Sequence, residues 1–314
     1  MNAITGLRQR LAGGEAPALA GVAAALLTVT IWSGWVVGTR HAVTSGLDPA
    51  AVGLLRFGLP ALVFAPWWLR RGLLPRGVAP FALAMMVAGA GAPFLMLAAS
   101  GMQFAPAADV GALLPGTMPL FAALIGWALL GERQTRLRVA GFAMIAAGIV
   151  AIGGSAALAG TDGAWRGHLL FLAAAACWAG YTHAYRRTGL TPFEAAGLIG
   201  IWSVLILLPA VLWSGGGGLV RVPAAEVWSQ LAIQGGLSGV VALASYGFAV
   251  ARLGATGAAA FSALVPGLAA LFAIPLLGEL PGPWTMLGIA SVSLGVALAT
   301  GAIGRNGNAK AAAP

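Results

Sequence analysis

The residues able to do chemistry in this 314-residue chain are few, and they are set singly into apolar sequence. Trp32 and Trp35 are three apart, which places them on one face of a helix. Trp178, Tyr181 and Tyr185 share a face in the same way. Gln234 and Tyr246 interrupt a later apolar run, Arg56 and His183 bring titratable groups into two others, and Asp109 opens a fourth. Pro119 and Pro266 fall near the middle of their runs. Nucleophilic catalysis needs a nucleophile within reach of a base. Only His168 and His183 are placed to act as histidine bases, and neither sits in a Gly-x-Ser-x-Gly or His-Glu-x-x-His pattern. The one lysine, Lys310, lies near the end of the chain, so there is no phosphate-binding P-loop and no ATP hydrolysis. The single cysteine, Cys177, allows neither an intrachain disulfide nor a cysteine-based metal site. The chain is read as no enzyme, with no metal and no cofactor. What remains is recognition of a small molecule by aromatic rings, amides and one cation.

Composition says what must position these groups. Sixty per cent of the residues are hydrophobic, 8% are charged, and 47 are glycine. A water-soluble chain carries roughly 25% charged residues, so much of this surface must face a lipid bilayer. The net charge of +9 could suit nucleic acid. The arginines, however, stand in short gaps between apolar runs and form no single patch, and nucleic acid is excluded as a partner. The runs are continuous rather than alternating, which predicts helices and not a barrel. Spans are predicted at 17–38, 50–69, 79–100, 106–130, 138–157, 168–187, 195–214, 227–250, 254–277 and 283–303. The fold class is therefore an all-α integral membrane protein with ten transmembrane helices. The first run is longer than the roughly 7–15 residues of a signal-peptide core and is read as a retained helix.

Basic residues orient the chain. With the N-terminus in the cytoplasm, the inner segments hold thirteen (Arg8, Arg10, Arg70, Arg71, Arg76, Arg133, Arg136, Arg138, Arg186, Arg187, Arg252, Arg305 and Lys310). The outer loops hold three (Arg40, Arg166 and Arg221). Both termini, 1–16 and 304–314, are predicted to be cytoplasmic, in the cell's inner (plasma) membrane.

The two halves resemble each other. Ile31-Trp32-Ser33-Gly34-Trp35 aligns with Cys177-Trp178-Ala179-Gly180-Tyr181, and Arg40 then meets Arg186. Pro119 through Gly131-Glu132 aligns with Pro266 through Gly278-Glu279, and Gly141 and Gly148 fall on Gly288 and Gly295. A repeat of five helices is odd, so the second copy must be inverted. The charges agree: Arg133, Arg136 and Arg138 are replaced by Leu280, Pro283 and Thr285 where the copy would face outward. The predicted organisation is a first repeat over 17–155 and a second over 168–303.

Trp32-Ser33-Gly34, Leu55-Arg56-Phe57 and Pro119…Leu130-Gly131-Glu132-Arg133, with their second-half counterparts, resemble the EamA-type members of the drug/metabolite transporter superfamily. The resemblance covers roughly 15–303. It implies ten helices, cytoplasmic termini, and export or exchange of small metabolites such as amino acids. Two positions depart from the pattern, Ile199 in place of Arg56 and Leu280 in place of Arg133, which argues against a role needing both copies of either arginine.

Inverted-repeat transporters bind at the midplane beside broken helices. Pro119 and Pro266 each lack an N–H, which frees the carbonyls of Pro115 and Ser262, and they are candidates to line a cavity with Trp32, Trp178, Tyr181, Gln234 and Tyr246. Trp35 and Tyr185 also fit an interfacial aromatic belt. Arg56 either snorkels to the outer face, pairs with Asp109, or contacts a substrate carboxylate. Asp109 otherwise reads as a helix cap, and His183 is a candidate proton relay. Gly34/Gly38 and Gly235/Gly239 are spaced for close helix packing. The function predicted is a secondary transporter or exporter of a small neutral or zwitterionic metabolite, acting by alternating access as a monomer or homodimer. An intramembrane enzyme and a channel are the alternatives.

Overall fold

The computed structural model describes residues 15–158 and 163–303. The terminal segments 1–14 and 304–314, and 159–162 between the predicted 138–157 and 168–187 spans, lie outside them. Among the described residues all regular structure is helical. The helices are α1 (Glu15–Thr44), α2 (Pro49–Val63), α3 (Ala65–Arg71), α4 (Pro80–Ala90), α5 (Ala92–Gly101), α6 (Ala107–Leu113), α7 (Met118–Leu130), α8 (Arg136–Leu158), α9 (Ala164–Tyr185) and α10 (Pro192–Trp213). There follow α11 (Ala224–Gln230), a π-helix over Leu231–Val241, α12 (Ala242–Ala260), a 3-10 turn over Phe261–Leu264, α13 (Val265–Leu277) and α14 (Pro283–Thr300).

Several predicted spans are discontinuous, and each break has a local cause. The 50–69 span bends by 73° between α2 and α3. Pro66 follows the bend and has no N–H for the Leu62 carbonyl, so the α2 ladder cannot run on. The short α3 carries Trp67, Trp68, Arg70 and Arg71, the residue types that settle at a headgroup layer. The 79–100 span breaks at Gly91, just before Pro93. Ser203 on α10 accepts the freed Ala92 N–H at 2.9 Å. The 106–130 span splits into α6 and α7, and Thr117 caps the loose Leu113 carbonyl with its hydroxyl at 2.5 Å. Spans 227–250 and 254–277 were expected as separate helices. The helical path from Ala224 to Leu277 is divided at that junction by non-helical backbone at Gly254 (φ 75°, ψ 160°), a conformation natural to glycine.

Most of the main interhelical contacts come in matched sets when the halves are exchanged. α1 packs on the π-helix, α12 and α13, and its counterpart α9 packs on α4, α5 and α7. Between the halves, α2 packs on α10 and α8 on α14, pairs that map onto themselves, while α6 packs on α13 without a matching main contact between α12 and α7. The α8–α14 crossing rests on glycine. A methyl built on Gly141 would lie 2.6 Å from the Gly295 carbonyl oxygen, and one on Gly148 would lie 2.7 Å from that of Gly288. The contacts run in opposite order along the two helices, so they are antiparallel. Gly235 and Gly239 also serve close packing: a methyl on the first would meet the Leu55 carbonyl at 2.7 Å, and one on the second would meet Pro60 at 2.5 Å. Of the earlier pair, Gly38 packs against Ile233, but Gly34 faces open space, which corrects its assignment to packing.

The surface is apolar. Leu62, Trp127, Val150, Leu212, Trp213, Leu276 and Trp284 are among the exposed side chains. Such a skin is stable only against an apolar solvent. Inside, α1, α2, α5, α6, α9 and α10 supply one continuous buried core, within which the polar residues described next are held.

Candidate functional site

Arg56 projects from α2 toward α1 and the π-helix. Its guanidinium lies 5.3 Å from the centre of the Trp35 ring, and its Nη1 donates to the Gln234 backbone carbonyl at 3.3 Å. It has no carboxylate partner among the described residues. The predicted pairing with Asp109 is not formed, because Asp109 is held at 2.8 Å by His168 Nε2 and both side chains are buried. The first turns of α6 and α9 meet there, and the pair joins them.

Gln234 is fully buried on the π-helix. Its Nε2 donates to Thr39 Oγ1 at 2.9 Å and to Gln230 Oε1 at 3.2 Å. Gln230 Nε2 donates in turn to the Gly38 carbonyl and to Glu226. Gln234 Oε1, Ser238 Oγ and Trp35 Nε1 are buried without a partner among the described residues. Buried polar atoms without partners are costly, and π-helical turns gather at functional sites. One cation, one indole N–H, one amide oxygen and one hydroxyl thus stand around the junction of α1, α2 and the π-helix, each with bonding capacity to spare.

The predicted aromatic residues form two groups. Trp32 packs on Tyr246, with ring centres 5.3 Å apart. Trp178 packs on Phe94 at 5.3 Å and on Tyr181 at 5.2 Å, and Tyr181 stacks on Tyr185 at 5.8 Å. Phe94 also stacks on Trp35 at 6.4 Å. A lane of rings therefore runs from Arg56 through Trp35, Phe94, Trp178 and Tyr181 to Tyr185. Trp35 is buried in the core, which corrects its reading as a belt residue.

Pro119 and Pro266 stand in the first turns of α7 and α13, where a missing N–H costs nothing. Pro266 is packed against Gly111 of α6. His183 Nε2 lies 3.0 Å from the Ala122 carbonyl on α7. A carbonyl only accepts, so this nitrogen carries the hydrogen. Glu194, in the first turn of α10, forms a capping box with Thr191 and pairs with Arg71 at 2.6 Å. Both jobs are structural.

Sequence reasoning missed Trp35, Phe94 and Ser238 as parts of this network, and His168 as the partner of Asp109. Gln230 and Gln234 are four apart on one helical face and could have been read as a pair. Nothing local marks Phe94 or His168, whose partners come from distant helices.

With the geometry described, comparison with known proteins adds the family. The sequence model of the EamA-like transporter family matches residues 19–154 and again 165–301. The chain belongs to the EamA-like transporter family. As a member it is a multi-pass membrane protein of two-repeat architecture, and the family is one of transporters. A probable terminal-alkyne amino-acid exporter from Streptantibioticus cattleyicolor is 31% identical over 286 residues, covering 88% of this chain and 91% of that one. A solved crystal structure matches with a TM-score of 0.56 at 22% identity, over 93% of this chain and 100% of the other, which extends the likeness of fold to a known structure.

Proposed function

We propose that this EamA-family protein exports a zwitterionic, amino-acid-like metabolite by alternating access, with Arg56 reading the substrate carboxylate. The observation that carries this is a half-buried guanidinium with an aromatic face, one long hydrogen bond and no carboxylate among the described residues. A buried cation is expensive unless paired, and a passing carboxylate would supply the pair. Gln234 Oε1 and Ser238 Oγ are available to an ammonium group, and the rings of Trp35, Phe94 and Trp178 offer a surface to an apolar side chain. The amino-acid exporter among its relatives agrees with this substrate class.

Ten crossings, as two inverted five-helix repeats over 17–155 and 168–303, carry the site. Seven helical runs are long and apolar enough to cross a bilayer, and the bent α2–α3 pair is an eighth. The 54-residue path from Ala224 to Leu277, divided at Gly254, is more than twice the roughly 20 residues of one crossing and supplies two. α9, with 22 residues, has the length but is made less apolar by Arg166, His168 and His183. The antiparallel α8–α14 crossing supports the inversion. These helices are repeat equivalents, and a two-fold relating antiparallel helices lies across them, in the membrane plane. Trp32 with Tyr246, and Trp178 with Tyr181, would then flank one path from two sides. The excess of basic residues on one side favours an inner-membrane topology with both termini in the cytoplasm.

The test is counterflow of labelled neutral amino acids in proteoliposomes, with and without a pH gradient. Saturable exchange of at least one α-amino acid is expected, with its decarboxylated amine inert. Equal transport of the amine would remove the carboxylate from recognition.

A further inference from the structure

One carboxylate ties together three helix ends. Arg40, near the end of α1, donates through Nε to Glu279 Oε1 at 2.8 Å and through Nη1 to the Met102 carbonyl. Glu279, just past the Gly278 cap of α13, accepts the Ala107 N–H at 2.7 Å through its other oxygen. α1, α6 and α13 are thereby joined at the face of the bundle that holds Arg40. The two side chains are only 19% and 20% exposed. A charge-assisted pair that also holds a backbone N–H and is largely shielded from water is stronger than a solvated surface pair.

The repeat register supplies the same parts at the opposite face. Arg186 lies five residues after Tyr181, as Arg40 lies five after Trp35. Glu132 follows Gly131 as Glu279 follows Gly278, and both glycines cap their helices in the left-handed region, at φ 68° and 69°. Gly254 stands where Ala107 stands. Here the parts are separate. Arg186 and Glu132 are exposed, and neither forms an ion pair among the described residues. The Glu132 carboxylate lies back along its own helix, where a methyl built on Gly126 would meet Oε2 at 2.6 Å. A cavity of about 420 Å³ opens beside it, lined by Leu120, Trp127, Arg133 and Gln134 among others.

We propose that Arg40–Glu279 and Arg186–Glu132 are the two members of a reciprocal latch, one closing each face of the transporter, and that the structure holds the first closed and the second open. The proposal rests on the alternating-access reading. Breaking one latch and forming a chemically equivalent one leaves the two states close in free energy, which is what a carrier needs to populate both. It also explains why the second copy keeps the glutamate of the Gly-Glu element while losing the arginine that follows it. The carboxylate belongs to the latch, and the neighbouring arginine does not.

Cross-linking tests this without any substrate. In a Cys177→Ala background, Arg186→Cys and Glu132→Cys are combined and treated in membranes with a short bifunctional methanethiosulfonate. The reagent spans the distance that two long side chains bridge, which a direct disulfide could not. Cross-linking is expected, and adding Glu279→Gln should raise its rate by about fivefold, because weakening one latch populates the other state. Arg40→Gln should do the same, and it serves if Glu279→Gln fails to fold, judged by gel filtration. Exchanging the charges, Arg40→Glu with Glu279→Arg, should return the rate toward that of the parent. Absence of cross-linking in every background, or a rate indifferent to both latch variants, would overturn the latch and leave Arg40–Glu279 a static staple. Responsive cross-linking in a protein that moves no amino acid would keep the latch and discard the substrate assignment.

Discussion

At the scale of residues, a buried carboxylate and a half-buried guanidinium have different fates. Asp109 has a resident partner, His168, whereas Arg56 has an aromatic face and a backbone carbonyl. The first arrangement holds helices together, and the second leaves bonding capacity for a solute. Arg56→Gln should therefore lower the initial counterflow rate by about tenfold or more, since a hydrogen bond to a charged group is worth about 1.5–3 kcal/mol. Arg56→Lys should fall between, because it keeps the charge but loses the planar fork and the stacking on Trp35. A wild-type rate in Arg56→Gln at matched protein level would take Arg56 out of the site. Asp109→Ala should act on stability instead, costing about 2–3 kcal/mol by stranding a buried imidazole. Adding His168→Ala should cost less than the two single changes together, read from thermal unfolding in detergent. Strict additivity would mean that the pair is not coupled.

Glycine decides how closely two elements approach. α8 and α14 cross where Gly141 meets Gly295 and Gly148 meets Gly288, backbone against backbone, and no flexible side chain can yield there. Gly141→Val or Gly295→Val should force the helices apart and cost about 1–3 kcal/mol as overpacking. Gly153 and Gly154 lie on the same helix but face open space. Changing either to alanine should be neutral or stabilise by about 0.5–1 kcal/mol, because alanine holds a helix better than glycine. Equal melting temperatures for Gly141→Val and Gly153→Ala would contradict the crossing. The glycine spacing was legible in the sequence as a small-residue pattern. Which glycines meet a neighbour and which face open space was not, as Gly34 shows.

The whole molecule is described by its orientation and its symmetry. A reporter fused to the C-terminus should be active only in the cytoplasm, as the thirteen basic residues assigned inside against three outside require. Activity of a periplasm-specific reporter there would reverse the topology, and with it the face that each latch closes. Superposing 17–155 on 168–303 should fit best after inverting one half. A better fit without inversion would break the equivalence of Trp32 with Trp178 and of Arg40 with Arg186.

The amino-acid sequence by itself determined that lipid is this protein's solvent, where its helices run, and how its halves correspond. These are properties of local composition and of recurring letters, and they need no knowledge of which helix touches which. It also marked Arg56, Gln234 and the two tryptophans as unusual, because a polar or bulky group in an apolar run stands out wherever the run packs. The tertiary structure decided the partners. Asp109 meets His168 rather than Arg56, Trp35 is buried against Phe94 rather than lying in a belt, and the span predicted at 50–69 bends by 73°. Helical periodicity says which face a side chain is on. The crossing of helices far apart in the chain says what that face meets, and that is set by how glycine, proline and bulky rings let the backbones approach.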